Sequence, residues 1–354
     1  MTVNAKNLDE VREALSSIAD PQVRSGGTKT AASAGANLCV ADMAGVLQYE
    51  PSEYTFTALA GTKLADVRQM LAEHGQFMPF DPPLVKAGGT LGGTVATGLS
   101  GSGRFRFGGV RDFFLGVQMV TFGGRVVFGG GKVVKNAAGF DIPKLMVGSM
   151  GKFGVMTELT FKVFPQPEKY STLLLSFDSF EAAADILNQL AGQPMDLSCL
   201  DIDPSSHTVA IRLGGIATSV IDRIDRVRVL AKSYNKECSS KVLNSQEDAD
   251  YWSRVNEFDW LGADDRLVKI PTTPSQMTRW EELFHAFGDS ITRRYCVGGN
   301  LLWVGWPPGK PAIKLSGICS QLGQTPVPIT GSWPDSVDAP NKSEFEQRLM
   351  AAFG

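Results

Sequence analysis

Half of the chain's 38 glycines, 19 of them, fall between Gly88 and Gly154. Glycine loses more backbone freedom on folding than any other residue and has no side chain to pack. A run this rich is therefore either a loose linker or a segment whose backbone must turn tightly or approach something closely. The β-rich apolar run Phe114–Val120 sits inside it, and a linker carries no such run. Glycines placed between strands permit positive φ and close approach of the main chain to a ligand.

The flanking chain reads as structured. The pattern predicts a helix over 7–18, a strand at Gln22-Val23-Arg24 and a loop at Ser25–Lys29. Strands follow near 38–42 and 55–59. A helix over 63–74 places Leu64, Val67, Met70 and Leu71 on one face, with Gly75 as its C′ residue. Strands recur near 115–120, 125–128 and 155–163. Pro165 and Pro167 then mark a domain boundary. Beyond it, strand 171–177, helix 180–190, strands 197–202 and 207–213 and helix 217–233 form one series. A second series runs through strand 266–270, helix 275–287, strands 291–297 and 300–306, helix 310–322 and strand 325–330. The reading is two β-α-β-β-α units that face each other or share one antiparallel sheet. The expected class is α+β, with domains at 1–168 and 169–330 and a tail at 331–354 that carries an amphipathic helix from Ser343.

Composition narrows the function classes. The net charge is −3 and gives no general affinity for nucleic acid. The five cysteines, at 39, 199, 238, 296 and 319, are widely spaced. They form no local zinc or iron–sulfur signature and no disulfide framework, which points to a reducing compartment. The first residues hold no apolar signal core, and no apolar run is long enough to cross a membrane as a helix. No metal site is expected.

Four short segments carry the chemistry. Ser25-Gly26-Gly27-Thr28 follows a strand and can offer backbone N–H groups as a nest for a doubly anionic pyrophosphate, with Arg24 and Lys29 to neutralise charge. A bare surface turn is the alternative. Gly88–Gly98 is not a strand–G-x-G-x-x-G–helix motif. Its Thr90, Thr94 and Thr97, together with Ser100, can offer hydroxyls to phosphate or ribitol, unless the segment is a coil serving chain geometry alone. Lys135–Asp141 and Gly148–Val155 complete the set. The last is equally readable as a tight loop with a helix cap.

Taken together, these segments resemble the flavin domain of the VAO/PCMH group of FAD-linked oxidases, and within it the E-subunit branch of the glycolate oxidases. The resemblance extends through Thr57–Thr62, Gly75–Pro83, Gly89–Leu99, Val110-Arg111-Asp112 and Val134–Asp141. It covers about 1–168 closely and 169–306 more loosely. It implies a PCMH-type FAD-binding domain followed by a cap-like α+β domain. Arg24, Ser25, Gly26, Gly27 and Thr28 would hold the pyrophosphate. Gly89, Thr90, Gly92, Gly93, Ala96, Thr97 and Gly98 would line the path of pyrophosphate, ribitol and flavin. Gly151, Gly154 and Val155 would approach the adenosine end. Arg111 and Asp112 would pair to hold a loop, and Asp141 would fix the helix after it. Many relatives attach flavin through a histidine near the second segment. The three histidines here are His74, His207 and His285, so the expected FAD is non-covalent.

A 2-hydroxy acid becomes a 2-oxo acid by losing a hydroxyl proton and a hydride, which calls for a base and a carboxylate anchor. The sequence identifies no base. Arg104 and Arg106, read as i, i+2 on an extended loop, are candidate anchors for a carboxylate, a phosphate or a partner. The resemblance implies a cytoplasmic subunit of a glycolate dehydrogenase, with a related flavoprotein D-type subunit and an iron–sulfur F-type subunit as partners, able to attach to the inner face of the membrane through that complex. A stand-alone FAD oxidase and a non-catalytic scaffold are the alternatives.

Overall fold

The computed structural model describes residues 2–131, 140–235, 237–288, 291–333 and 348. Its first elements are β1 (Val3–Asn4), α1 (Leu8–Ser17), β2 (Val23–Arg24), β3 (Leu38–Cys39), β4 (Val46–Glu50), β5 (Thr55–Leu59), α2 (Leu64–Ala72), β6 (Gln76–Phe77) and α3 (Leu91–Thr97). Then come α4 (Arg104–Phe107), α5 (Val110–Phe113), β7 (Phe114–Val120), β8 (Val126–Gly130), α6 (Ile142–Met146), β9 (Val155–Lys162) and β10 (Phe164–Pro165). The chain divides into two compact units. Within the described residues, one holds Met1–Gly101 and Gly108–Gln166, and the other holds Ser102–Phe107 and the chain from Pro167 to residue 333. The short α4 segment therefore belongs with the second unit, although the sequence reading runs the first domain unbroken to 168.

In the first unit, β1 and β2 both pair parallel with β3. A five-stranded antiparallel sheet runs β4-β5-β9-β7-β8. Local chemistry explains the helices. Asn7 caps α1 by accepting from Glu10 N at 3.0 Å, while the Glu10 carboxylate accepts from Lys6 N at 2.8 Å. Val11, Ala14 and Leu15 give α1 its buried stripe. In α2, Leu64, Val67 and Leu71 are buried, and Gly75 follows with φ +62°.

The second unit contains β11 (Lys169–Ser176), α7 (Phe180–Ala191), β12 (Leu197–Asp203), β13 (Thr208–Gly215), α8 (Ala217–Tyr234), β14 (Ser239–Asn244) and α9 (Gln246–Glu257). It continues with β15 (Arg266–Pro271), α10 (Met277–His285), β16 (Thr292–Cys296), β17 (Leu301–Trp306), α11 (Ala312–Gln321) and β18 (Val327–Pro328). Its strands form one sheet in the order β14-β11-β13-β12-β16-β17-β15-β18. The repeats therefore share a sheet, joined antiparallel at Ile202↔Tyr295. Each repeat closes with its own last strand, giving β-α-β-β-α-β twice. Four helices cover one sheet face, burying Ile202, Ile211, Ile270 and Leu302 against Leu187, Val220, Trp280 and Leu315.

Two elements of this unit are absent from the sequence reading. The edge strand β14 is mostly polar and exposed. In α9 the buried positions are Asp248, Trp252, Val255 and Asn256. Their spacing is helical, but two of the four are polar, which hides the stripe. The tail helix from Ser343 and residues 135–139 of the third glycine segment lie outside the described residues.

Candidate cofactor site

Three backbone segments of the first unit line a cleft. The end of β2 and the loop after it supply Arg24, Ser25, Gly26, Gly27, Thr28 and Lys29. Helix α3 and its cap supply Thr90, Gly92, Gly93, Ala96 and Thr97, and the turn before β9 supplies Met150, Gly151 and Gly154.

Close approach of backbones makes glycine obligatory at the wall. A Cβ on Gly26 would stand 2.6 Å from Gly88 O, and one on Gly154 would stand 2.2 Å from Val120 O. Gly27 sits at φ +70°. Among the described residues, none accepts a hydrogen bond from the N–H groups of Gly26, Gly27 or Thr28. Ser25 Oγ is buried and likewise has no hydrogen-bond partner. A buried hydroxyl without a partner is costly, and a ligand oxygen in the cleft would remove that cost. Lys29 is only 5% exposed. Its ammonium lies 3.8 Å from where a Gly93 Cβ would stand. The cleft thus brings unbonded N–H donors, a hydroxyl and a cation to one wall, a set suited to an oxyanion.

The second glycine segment is ordered otherwise than the sequence suggests. Leu91–Thr97 is a helix, capped by Thr90 Oγ1 accepting from Gly93 N at 3.2 Å. Thr94 Oγ1 donates to Thr90 O at 2.9 Å and Thr97 Oγ1 donates to Gly93 O at 2.7 Å. Ser100 Oγ accepts from Val110 N at 2.9 Å. Thr94 and Thr97 thereby spend their O–H donors within α3, whereas Thr90 and Ser100 accept in these bonds and keep their donors.

Twelve of the fifteen expected cofactor contacts line the cleft; Gly89, Gly98 and Val155 do not. Gly89 packs where a Cβ would meet Leu84 O at 2.7 Å, Gly98 is the left-handed C-cap of α3, and Val155 is buried in the core. Arg111 and Asp112 do not pair. Arg111 donates to Lys144 O at 2.9 Å, and Asp112 accepts from Gly109 N at 2.8 Å. Asp141 caps α6 through Lys144 N at 3.2 Å, as expected. Arg104 and Arg106 stand on a helix rather than an extended loop, and Arg106 is held by Asp196 at 2.6 Å.

Sequence reasoning passes over Ala60, Met150 and Met156 in the wall. Met150 holds φ +52° with its N–H on Ala96 O at 2.8 Å, a left-handed conformation uncommon outside glycine. The only sequence signal for it is its place beside Gly151. The lining includes neither histidine nor cysteine.

Residues 1–130 match the family described as an FAD binding domain. Glycolate oxidase subunit GlcE of Escherichia coli is 41% identical over 157 residues, 44% of this chain and 44% of that one. Glycolate oxidase subunit GlcD of Bacillus subtilis is 31% identical over 44% of this chain and 34% of its own length. The D-lactate dehydrogenase of Archaeoglobus fulgidus is 25% identical over 60% of this chain and 46% of its own length. The matches thus span less than half the length of each of these relatives. Among solved structures, an alkyldihydroxyacetonephosphate synthase superposes with TM-score 0.72 over 99% of this chain and 75% of that one. At 16% identity, that likeness speaks for the fold alone.

Proposed function

We propose that this chain, whose residues 1–130 match an FAD binding domain, is the FAD-binding subunit of a multi-subunit glycolate-type 2-hydroxy-acid dehydrogenase of the VAO/PCMH group. The single observation that carries the siting of FAD is the cleft wall with unbonded N–H groups and the buried Ser25 hydroxyl. In this reading Ser25, Gly26, Gly27 and Thr28 hold the pyrophosphate with their main chain, Arg24 and Lys29 offset its charge, and Gly92, Gly93, Ala96 and Thr97 form the floor beneath the cofactor. Gly151 and Gly154 let the backbone approach its adenosine end.

Bound FAD supplies the hydride acceptor for C2 of the acid, whose hydroxyl proton goes to a base. Glycolate would yield glyoxylate, with the electrons passed to a partner. The similarity to proteins named as subunits of a glycolate oxidase supports assembly with other subunits, for which the proposal takes a related flavoprotein and an iron–sulfur protein. The proposal places the chain in the cytoplasm, with any membrane attachment made through the complex; no helix among the described residues is long and apolar enough to cross a membrane.

Attachment of the flavin is expected to be non-covalent. His74 is at the surface, edge-on to Tyr49 at 5.2 Å, and no histidine lines the cleft. Acid precipitation should leave colourless protein and yellow supernatant; flavin retained in the pellet would contradict this. The activity itself is tested by adding glycolate anaerobically to the purified chain and to the assembly isolated from its host. Bleaching of flavin absorbance in the assembly is expected. Bleaching in neither preparation would reject the glycolate reading, whereas full turnover by the chain alone would reject the need for partners.

A further inference from the structure

The two larger sheets end on four edge strands, β4 and β8 in the first unit and β14 and β18 in the second. An edge strand offers a row of unpaired N–H and C=O groups to any other strand, and folded chains blunt it with charge, proline, a bulge or shortness. Three of these edges carry such a device. In β14 the run Ser239-Ser240-Lys241 is exposed. β18 has only two residues, one of them Pro328. β4 is interrupted by a register shift between Val46 and Gln48 and ends on Glu50.

β8 carries none. Val126-Val127-Phe128-Gly129-Gly130 holds no charge and no proline. Its register against β7 runs from Gly116↔Gly130 to Val120↔Val126 without a shift. Among the described residues, no hydrogen bond beyond the β7 ladder reaches β8. One face of the strand is covered, because a Cβ on Gly129 would stand 2.5 Å from Ile142 Cβ of α6. Side chains alternate between faces along a strand, which puts Phe128 on the other face, where it is 70% exposed. Its cross-strand neighbour on β7 is Gln118, whose amide oxygen is taken by Thr157 Oγ1 at 2.7 Å. No apolar side chain of β7 therefore lies opposite the ring.

The sequence of this edge is complementary to itself. Antiparallel pairing of two copies with Phe128 opposite Phe128 sets Val126 opposite Gly130, Val127 opposite Gly129 and Arg125 opposite Gly131. Large residues then meet small ones, the two aromatic rings meet each other, and no like charges are opposed. Both α6 helices fall on one face, toward opposite ends of the paired strands, and both Phe128 rings on the other. We propose that β8 is a homodimerisation edge, at which a second copy of this chain continues the five-stranded sheet across a two-fold axis beside Phe128.

Five residues a side make a small interface. The dimer is therefore one that forms and dissociates with concentration rather than a permanent one. None of Val126–Gly130 lines the cofactor cleft, so substitutions in β8 read assembly without touching the cofactor wall. The pairing is independent of the reaction proposed above.

The test is sedimentation of the purified full chain over a concentration series, where a monomer–dimer equilibrium is expected. Phe128→Lys places a charge opposite its own copy and should weaken the dimer about tenfold or more. Phe128→Tyr should associate as the parent does. The side chain is exposed, so neither substitution should change Tm. Register is read by cross-linking. In Phe128→Cys the paired Cβ atoms would stand about 4.5–5.5 Å apart, close enough for a disulfide after a small adjustment, and the five native cysteines are buried. Mild copper-catalysed oxidation should give a covalent dimer in Phe128→Cys and none in Leu47→Cys, which sits 51% exposed on the opposite edge of the same sheet. A parent that stays monomeric at its highest soluble concentration would overturn the proposal. So would a dimer indifferent to Phe128→Lys, failure of Phe128→Cys to cross-link, or equal cross-linking by Leu47→Cys.

Discussion

Gly93→Val is expected to give a folded chain that has lost most of its flavin, whereas Gly92→Val should both lose flavin and unfold more readily. The two neighbours differ in what a side chain would meet. At Gly93 a Cβ would stand 3.1 Å from the Thr90 hydroxyl and 3.8 Å from Lys29 Nζ. Both are ends of side chains that can shift, and the added bulk enters the cleft. At Gly92 the Cβ would stand 2.8 Å from Ala60 O and 3.0 Å from Ala60 Cβ. Gly92 N donates to that same carbonyl at 2.8 Å, so α3 and the backbone at Ala60 would be forced apart. Loss of cofactor alone removes the linkage term RT ln(1 + [L]/Kd), roughly 2.7 kcal/mol for ligand at about 100 times Kd. Gly92→Val adds overpacking, typically about 1–3 kcal/mol. The measurement is flavin absorbance per mole of soluble protein, with thermal melts in the presence and absence of added FAD. Parent-like flavin affinity in Gly93→Val would remove α3 from the cofactor site.

Asp248→Ala should destabilise the second unit by about 3–5 kcal/mol, the usual cost of removing one partner of a buried ion pair. Asp248 is 1% exposed. It accepts from Arg212 at 2.6 and 3.1 Å and from Thr172 Oγ1 at 2.6 Å. Thr172 Oγ1 in turn accepts from Trp252 Nε1 at 2.7 Å. The substitution takes the carboxylate away from a guanidinium stacked over Tyr170 at 4.1 Å and from the Thr172 hydroxyl. Asp248→Asn keeps an acceptor and should cost less. Urea unfolding followed by tryptophan fluorescence reports the loss. Equal midpoints for parent and Asp248→Ala would mean that the network contributes nothing net.

The sequence by itself determined the elements whose signals are local. The Leu64, Val67, Leu71 stripe, the first helix, the boundary at Pro167 and the alternation of strand and helix in both later repeats are each written within a few residues. The glycine segments could also be read as places where backbone approaches something, because that requirement excludes side chains whatever the partner. Which glycines face a cleft is a different question. Gly26, Gly92 and Gly154 lack room for a Cβ because of main chain far away in sequence, at Gly88, Ala60 and Val120, so only the folded chain decides it. For the same reason Gly89 and Gly98 serve packing and a helix end, and the hydroxyls of Thr94 and Thr97 are spent within α3. The pairing of repeats into one sheet was likewise open, since a single antiparallel contact between β12 and β16 selects it over two facing sheets.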